Sequence, residues 1–239
     1  MRREDLFQIN FRTLRRELLP EQQILEWFDA CNAYWFHDGD PGKPHAELTS
    51  GLCSNGYFNC PEVLKYPNIC EALAFQLLRK MRIEYPDLGL RHPLWVVGSA
   101  YAVITFSYEV SRVIGYAMHG FVEKDPSDPK AKKMLWQRLH IPEGSWVFQA
   151  EDLITTSGTF REVRRVINEG NSAPVNFMPV VGAVVHRPPQ LPVDYGDARV
   201  VALVEKAIWA VKPEDCTLCR QGSRRFRPKT HWAELTGKK

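Results

Sequence analysis

Long apolar runs are missing from this 239-residue chain, and with them the roughly 20 consecutive residues that a membrane-spanning helix needs. The opening residues, Met1-Arg2-Arg3-Glu4-Asp5, are charged and lack the apolar segment of a secretory signal. A cytoplasmic protein is therefore expected. Neither sign of charge dominates: 31 basic side chains stand against 28 acidic ones, a net charge of +3. That balance gives no case for nucleic acid, although a local basic cluster could serve an anionic substrate. Six scattered cysteines, Cys31, Cys53, Cys60, Cys70, Cys216 and Cys219, do not read as a disulfide framework. One Cys-x-x-Cys is present, Cys216-Thr217-Leu218-Cys219, but no second pair follows it, as a structural zinc site usually requires. His231 is the lone further candidate, so the expectation is a tail turn with two free thiols and no metal ligand. Gly-Lys-Ser/Thr and Gly-x-Gly-x-x-Gly are absent too, which excludes a Walker-type phosphate loop and a dinucleotide fingerprint.

What is present fits one α/β domain with embellishments. Hydrophobic residues make up 44% and charged ones 25%, as in a soluble globular chain. Residues 1–36 read as helical, with Ile24, Leu25, Phe28 and Cys31 on one face. Breakers fill residues 37–44. Residues 45–58 resemble a β-hairpin with Ser50-Gly51 and Asn55-Gly56 as turn signals. An amphipathic helix is expected over 62–82. Beyond it, continuous apolar runs at 94–98, 145–150 and 176–185 alternate with helical patterns at 103–114 and 159–169. Such runs imply parallel strands covered on both faces. The expected fold is α/β, a doubly wound, mostly parallel sheet flanked by helices over residues 62–212. Residues 1–61 form an N-terminal part of helices and hairpin. Residues 213–239 form a basic, breaker-rich tail, packed on the surface or partly mobile.

The segment that carries chemistry is Glu151-Asp152-Leu153-Ile154-Thr155-Thr156-Ser157-Gly158-Thr159. A buried strand ends in two acids, a hydroxyl-rich loop follows, and an amphipathic helix begins. In open α/β sheets ligands sit at the carboxyl ends of strands. A helix N-terminus offers unpaired N–H groups and a positive dipole end. Thr155, Thr156, Ser157 and Thr159 add hydroxyl donors around Gly158, which makes a phosphate cradle. The two carboxylates would repel a phosphate directly; they suit ribose hydroxyls or a magnesium ion just outside the cradle. If the hydroxyls merely capped the helix, one would suffice.

This segment resembles the phosphoribosyl-diphosphate loop of the type I phosphoribosyltransferases. That pattern is four apolar residues, two acids, two apolar residues, two hydroxylated residues, then small residues and threonine. The wider chain, over roughly residues 20–220, resembles the orotate phosphoribosyltransferases. Residues 48–59 are similar to their N-terminal substrate hood. Val96-Val97-Gly98-Ser99-Ala100-Tyr101 is similar to their diphosphate strand and loop, and Phe121-Val122-Glu123-Lys124-Asp125 to the strand entering a mobile catalytic loop. Val184-Val185-His186-Arg187 resembles the strand whose arginine contacts the base. Pro213–Arg220 is similar to a tail of some bacterial members. The resemblance implies that Glu151 and Asp152 bind the ribose hydroxyls, with Asp152 and Lys124 catalytic. Residues 155–159 would hold the 5-phosphate. Ser99, Ala100, Tyr101 and Lys124 would meet the diphosphate, with Lys130, Lys132 and Lys133 on a mobile loop over 126–138. Tyr57, Phe58, Thr155 and Arg187 would surround the base. It further implies magnesium bound with phosphoribosyl diphosphate, a nucleobase as second substrate, and a homodimer whose mobile loop completes the neighbouring site.

Four positions depart from the family pattern. Ala102 follows Tyr101 where glycine or lysine is usual, Thr49 replaces a hood cation, and Ser157 replaces a loop glycine. The mobile loop lacks the usual Lys-Asp-His-Gly run, His140 being the nearest histidine. Two activities are therefore expected as alternatives. One is transfer of ribose 5-phosphate to a nucleobase, orotate first, in pyrimidine nucleotide synthesis. The other is a non-catalytic or weakly active protein of the same fold that binds phosphoribosyl diphosphate or a nucleotide.

Overall fold

A computed structural model describes residues 1–14, 17–86, 91–128 and 133–237, so Lys130 and Lys132 lie outside the described residues. A 3-10 turn at Arg3–Gln8 and the short helix α1 (Phe11–Leu14) lead to α2 (Glu21–Ala30), which buries Ile24, Leu25, Trp27 and Phe28. Four short strands follow: β1 (Tyr34–Phe36), β2 (His45–Glu47), β3 (Cys53–Ser54) and β4 (Gly56–Phe58). The helix expected over 62–82 is two helices, α3 (Cys60–Leu64) and α4 (Pro67–Glu84). The break falls at Tyr66, which is extended because the residue before a proline is held out of the helical region. Then come β5 (Leu94–Gly98), α5 (Ile104–Ile114), β6 (Met118–Phe121), β7 (Glu123–Lys124) and β8 (Met134–Leu135). The core closes with β9 (Trp146–Ile154), α6 (Gly158–Gly170), β10 (Asn176–His186) and β11 (Arg199–Glu205). The chain ends in β12 (Ala210–Val211), α7 (Thr217–Arg220), β13 (Arg225–Phe226) and α8 (Trp232–Thr236).

The central sheet has the order β11-β10-β9-β5-β6, and every pairing in it is parallel. All five residues of β5 are buried, as expected of a strand covered on both faces. Leu94 and Val96 pack with Leu73 and Leu77 of α4 and Phe106 and Val110 of α5. Their neighbours Trp95 and Val97 pack with Val163, Val166 and Ile167 of α6. This period-two split, with helices on each side, is the doubly wound α/β architecture.

Strand β5 lies between β6 and β9. The chain order therefore reverses at β5, and a crevice opens beyond the carboxyl ends of β5 and β9. Gly98 ends β5 where α5 crosses closely. A Cβ there would lie 2.7 Å from Ser107 Oγ and 2.8 Å from Val103 Cγ1.

The small strands form a hood beside this core. The β2–β3 hairpin turns at Ser50-Gly51 as expected, with Gly51 at φ +81° and the Leu48 amide and Leu52 carbonyl bonding across it (Leu48 N–H donating, 2.8 Å). Asn55-Gly56 is not a second hairpin turn, because β4 leaves to pair antiparallel with β1. The tail is not a surface appendage either. Strand β12 pairs with β3 and β13 pairs with β2, giving a four-stranded sheet β12-β3-β2-β13. Backbone pairing across more than 150 residues carries no periodic signal in the sequence. Among the described residues no helix is long and apolar enough to cross a membrane.

Replacing Gly98 by valine should cost about 1–3 kcal/mol, the usual penalty for overpacking. Urea unfolding of Gly98→Val would show it as a lowered midpoint; an unchanged midpoint would mean that α5 does not rest on this strand end.

Candidate active site

Strand β9 is longer than expected. It runs on past Ala150 to Ile154, paired with β10 as far as Ile154 and His186, whereas its pairing with β5 stops at Gln149. Glu151 and Asp152 are thus inside the strand, beyond the end of β5, at the crevice. Successive strand residues point to opposite faces, so the two acids diverge. Glu151 is 1% exposed and shares its face with Gln149. Ser99 Oγ donates to Glu151 Oε2 at 2.6 Å, and Gln149 Nε2 donates to Oε1 at 2.9 Å. Asp152 is half-buried. Its carbonyl accepts from the Cys60 thiol at 3.4 Å.

The loop after β9 enters α6. Ser157 stands at the N-cap, but its side chain makes no capping hydrogen bond. The first amide groups of α6 are therefore left without a side-chain partner. Thr155 and Ser157 are half-buried, and Thr156, Gly158 and Thr159 are exposed. Four hydroxyls thus lie in the short turn between the end of β9 and the start of α6.

The diphosphate-loop residues follow β5. Ser99 and Ala100 are buried and Tyr101 is exposed, with a cis peptide between Ala100 and Tyr101. The hydroxyl of Ser99 is committed to Glu151. Lys124 lies in β7, close enough that its charge favours the ionised form of Glu151. Strand β7 pairs with β8, and Asp125 accepts from the amide and hydroxyl of Ser127 at 2.8 and 2.6 Å. Lys133 donates its amide to Asp128 at the base of the loop. Within the loop expected over 126–138, Met134 and Trp136 are buried against α6, and residues 129–132 lie outside the described residues. His140 bonds Ser172 at the far end of α6, at the opposite end of that helix from the hydroxyl loop.

Arg187 follows β10. Burial lowers its guanidinium from the ordinary value, and the thiol of Cys60 and the phenol of Tyr57 are the groups that oppose this. Its Nε is buried without a hydrogen-bond partner, and no carboxylate pairs with it among the described residues. Tyr57 is half-buried and packs beside Trp232 of α8, 6.3 Å between ring centres. Phe58 must be removed from the base-binding set. It alternates to the other side of β4, is 4% exposed, and packs among Phe28, Tyr34 and Phe36. Tyr57 borders a cavity of about 210 Å³ with Thr49, Arg227 and Lys229. Tyr101 borders a different groove with Tyr108 and Phe121.

No family model matches the chain. Curated relatives do. It is 32% identical over 213 residues to the orotate phosphoribosyltransferase of Heliobacterium modesticaldum, covering 88% of this chain and 98% of the relative. It is also 32% identical over 185 residues to the enzyme of that name from Pelotomaculum thermopropionicum, covering 77% and 87%. The chain belongs to the orotate phosphoribosyltransferase family. Among solved structures, the UMP synthase of Leishmania donovani shares the fold at a TM-score of 0.50 and 15% identity, over 77% of this chain and 36% of that longer one.

Within this family member, sequence reasoning missed Gln149 and Cys60 as supports of the acid pair. Gln149 was legible: two residues before Glu151 in a strand means the same face. Cys60, 92 residues away, was not. Burial raises the Glu151 carboxyl to about 7 and the Asp152 carboxyl to about 6. An unfolded glutamate has the ordinary value of 4.5. Between those two values the folded protein holds a proton that the unfolded chain has released, so stability falls as pH rises from about 4.5 to about 7. Glu151→Gln should flatten that fall. Denaturant midpoints for both proteins between pH 4.5 and 8 would test it; a wild-type midpoint that drops no more than the variant's would contradict the placement of Glu151.

Proposed function

We propose that the protein transfers the ribose 5-phosphate group of phosphoribosyl diphosphate to orotate, giving orotidine 5-phosphate and diphosphate. The observation that carries this reading is the convergence at one sheet end of a buried acid pair, an uncapped helix N-terminus and an arginine with no carboxylate partner. Glu151 and Asp152 accept hydroxyl bonds from the ribose. The loop hydroxyls of Thr155, Thr156, Ser157 and Thr159 and the α6 amides bind the 5-phosphate, which suits the positive end of the helix dipole. Arg187 meets the orotate carboxylate. A half-buried guanidinium without an acid beside it is costly until an anion arrives, and a planar carboxylate matches its paired donors. Tyr57 lies against the base.

The reaction breaks the bond from the anomeric carbon to the diphosphate oxygen and forms one to the ring nitrogen of orotate. Positive charge develops on the sugar as diphosphate departs. Buried carboxylates fixed before the reaction stabilise that charge without reorganising. Lys124, with Lys133 and the loop lysines Lys130 and Lys132, neutralises the departing diphosphate. Ser99 keeps Glu151 aimed into the crevice. The acid pair also suits magnesium: Asp152 presents hard carboxylate oxygens, whereas each oxygen of Glu151 already accepts one hydrogen bond and keeps a further lone pair for a ribose hydroxyl. Asp152 and the substrate oxygens would hold the ion, which supplies charge neutralisation at the leaving group.

A homodimer in the cytoplasm completes this reading, with the loop between β7 and β8 reaching the neighbouring site. The exposed rings of Tyr101 (70%) and Tyr108 (52%) beside the crevice support an association surface. Thr49 and Ala102, which bring no cation to the hood or the diphosphate loop, favour the second reading, binding without turnover.

Transfer assays with orotate and a panel of other bases decide between them. Asp152→Asn should lower kcat/KM by about 100-fold or more, the scale for removing one preorganised electrostatic group. Arg187→Lys should raise the KM for orotate by about 10-fold or more while changing that for phosphoribosyl diphosphate little. Calorimetric binding of phosphoribosyl diphosphate with no turnover of any base would replace transfer by the binding reading.

A further inference from the structure

We propose that the hood holds a structural zinc ion, bound by His45, Cys53, Cys216 and Cys219. Their ligand atoms all lie within 4.8 Å of one another. They come from three separate segments: β2, β3 and the turn of α7. Cys53 Sγ is 3.5 Å from Cys219 Sγ. His45 Nε2 is 3.4 Å from Cys219 Sγ and 3.6 Å from Cys216 Sγ. A zinc tetrahedron with bonds of about 2.3 Å to sulfur and about 2.0 Å to nitrogen has sulfur–sulfur edges of about 3.8 Å and sulfur–nitrogen edges of about 3.5 Å. These three separations lie within about 0.3 Å of the corresponding edges, and the other three pairs lie within 4.8 Å.

The surroundings prepare each ligand. Ser223 Oγ has a single proton, and it must donate it to the Lys43 carbonyl at 2.7 Å, because that oxygen can only accept. Its 2.7 Å contact with His45 Nδ1 is then a bond donated by the ring. The tautomer is fixed with the proton on Nδ1, and the bare Nε2 lone pair faces the sulfurs, as in metal-bound histidines oriented by an outer hydrogen bond. The Cys219 amide donates to Cys216 Sγ at 3.5 Å, so the Cys-x-x-Cys turn already points a backbone donor at one sulfur. His45, Cys53 and Cys216 are fully enclosed. Four ligands with no open position describe a structural site, not a catalytic one.

The sheet β12-β3-β2-β13 has little apolar core of its own among the described residues. Its own apolar cluster consists of Cys53, Cys216 and Leu218, with Trp209, Val211 and Cys219 against them. Units that cannot bury a sufficient core are commonly held by a metal. The expectation of two free thiols rested on the missing second pair of ligands; that pair is His45 and Cys53, far upstream. His231 is not part of the cluster. It precedes α8 and lies against Phe226. The ion would join the C-terminal segment to the hood, and that segment carries Arg227, Lys229 and Trp232 to the side of Tyr57.

The test is elemental analysis of the full-length protein, expressed without an affinity tag that binds metal and dialysed against metal-free buffer. A single zinc ion per chain is expected, lost in Cys216→Ser/Cys219→Ser and kept in the control Cys31→Ser/Cys70→Ser. Should the double variant fail to fold, cobalt exchanged into the wild type reads the site directly, through a thiolate-to-cobalt charge-transfer band and the strong visible absorption of tetrahedral coordination. Folded wild-type protein that holds no zinc and acquires none on titration would overturn the proposal. So would a Cys53–Cys219 disulfide in the native protein, or a cobalt spectrum of octahedral type.

Discussion

A carboxyl group enclosed where a parallel sheet reverses its order has to find partners other than water. Glu151 finds two neutral ones, Ser99 and Gln149. Neutral donors hold its position but compensate little for lost hydration, so the group titrates at about 7 instead of in the usual carboxylate range. A cation in that place would have fixed the negative charge and ended its sensitivity to what arrives. As built, the acid responds to its neighbours: Asp152 disfavours its ionised form and Lys124 favours it. Any further positive charge brought to the crevice pushes the same way. The rest of the site is arranged around this one acceptor.

That arrangement follows from strand lengths. Strand β9 continues for five residues after its last pairing with β5 while remaining bound to β10. The acids therefore sit on rigid, paired backbone beyond the end of β5, Glu151 enclosed and Asp152 half-buried. Close packing of α5 over Gly98 turns the chain away after β5, and it places Ser99 beside Glu151. On the other side of the loop, α6 begins without a side-chain cap. A capped helix would have spent its amides on itself; here they remain available at the crevice. The sheet is covered on both faces by helices, which leaves the strand ends as the place where a polar ligand meets it.

Much of this was legible in the sequence, and what was not has identifiable causes. Continuous apolar runs at 94–98 and 176–185 announced buried parallel strands because both faces need apolar side chains. The acid pair followed by four hydroxyls and a glycine marked a candidate site because few other roles need those groups together. Pro67 should have divided the helix expected over 62–82, since the rule for the residue before proline is local. Phe58 could have been excluded from the base by the alternation that put Tyr57 on the opposite face of the same short strand. Other features have no local signature. The unpaired state of Arg187 is a property of what surrounds it in space. The strands β12 and β13 have two residues each, too few for any period to register. His45 and Cys53 meet Cys216 and Cys219 only after the tail has crossed the molecule.

Those two-residue strands bear on the chemistry. Strand pairs this short are not stable alone in water, yet they carry the residues that wall the Tyr57 side of the crevice. Trp232 reaches Tyr57 from beyond β13, and Arg227 is held across the hood by Glu47 at 3.0 Å. An ion pair with one partner two-thirds exposed contributes little rigidity. The pairing of His45 with Ser223 and Lys43 is enclosed and better defined. On this side the enclosed imidazole, hydroxyl and sulfur contacts add to the short backbone ladder. The parallel sheet positions the acids and the hydroxyl loop by the packing of two large faces. The sheet β12-β3-β2-β13, with a small apolar cluster of its own, is held largely by directional bonds. A family scaffold can keep the first constant and alter the second, which is where Thr49 departs from the family pattern.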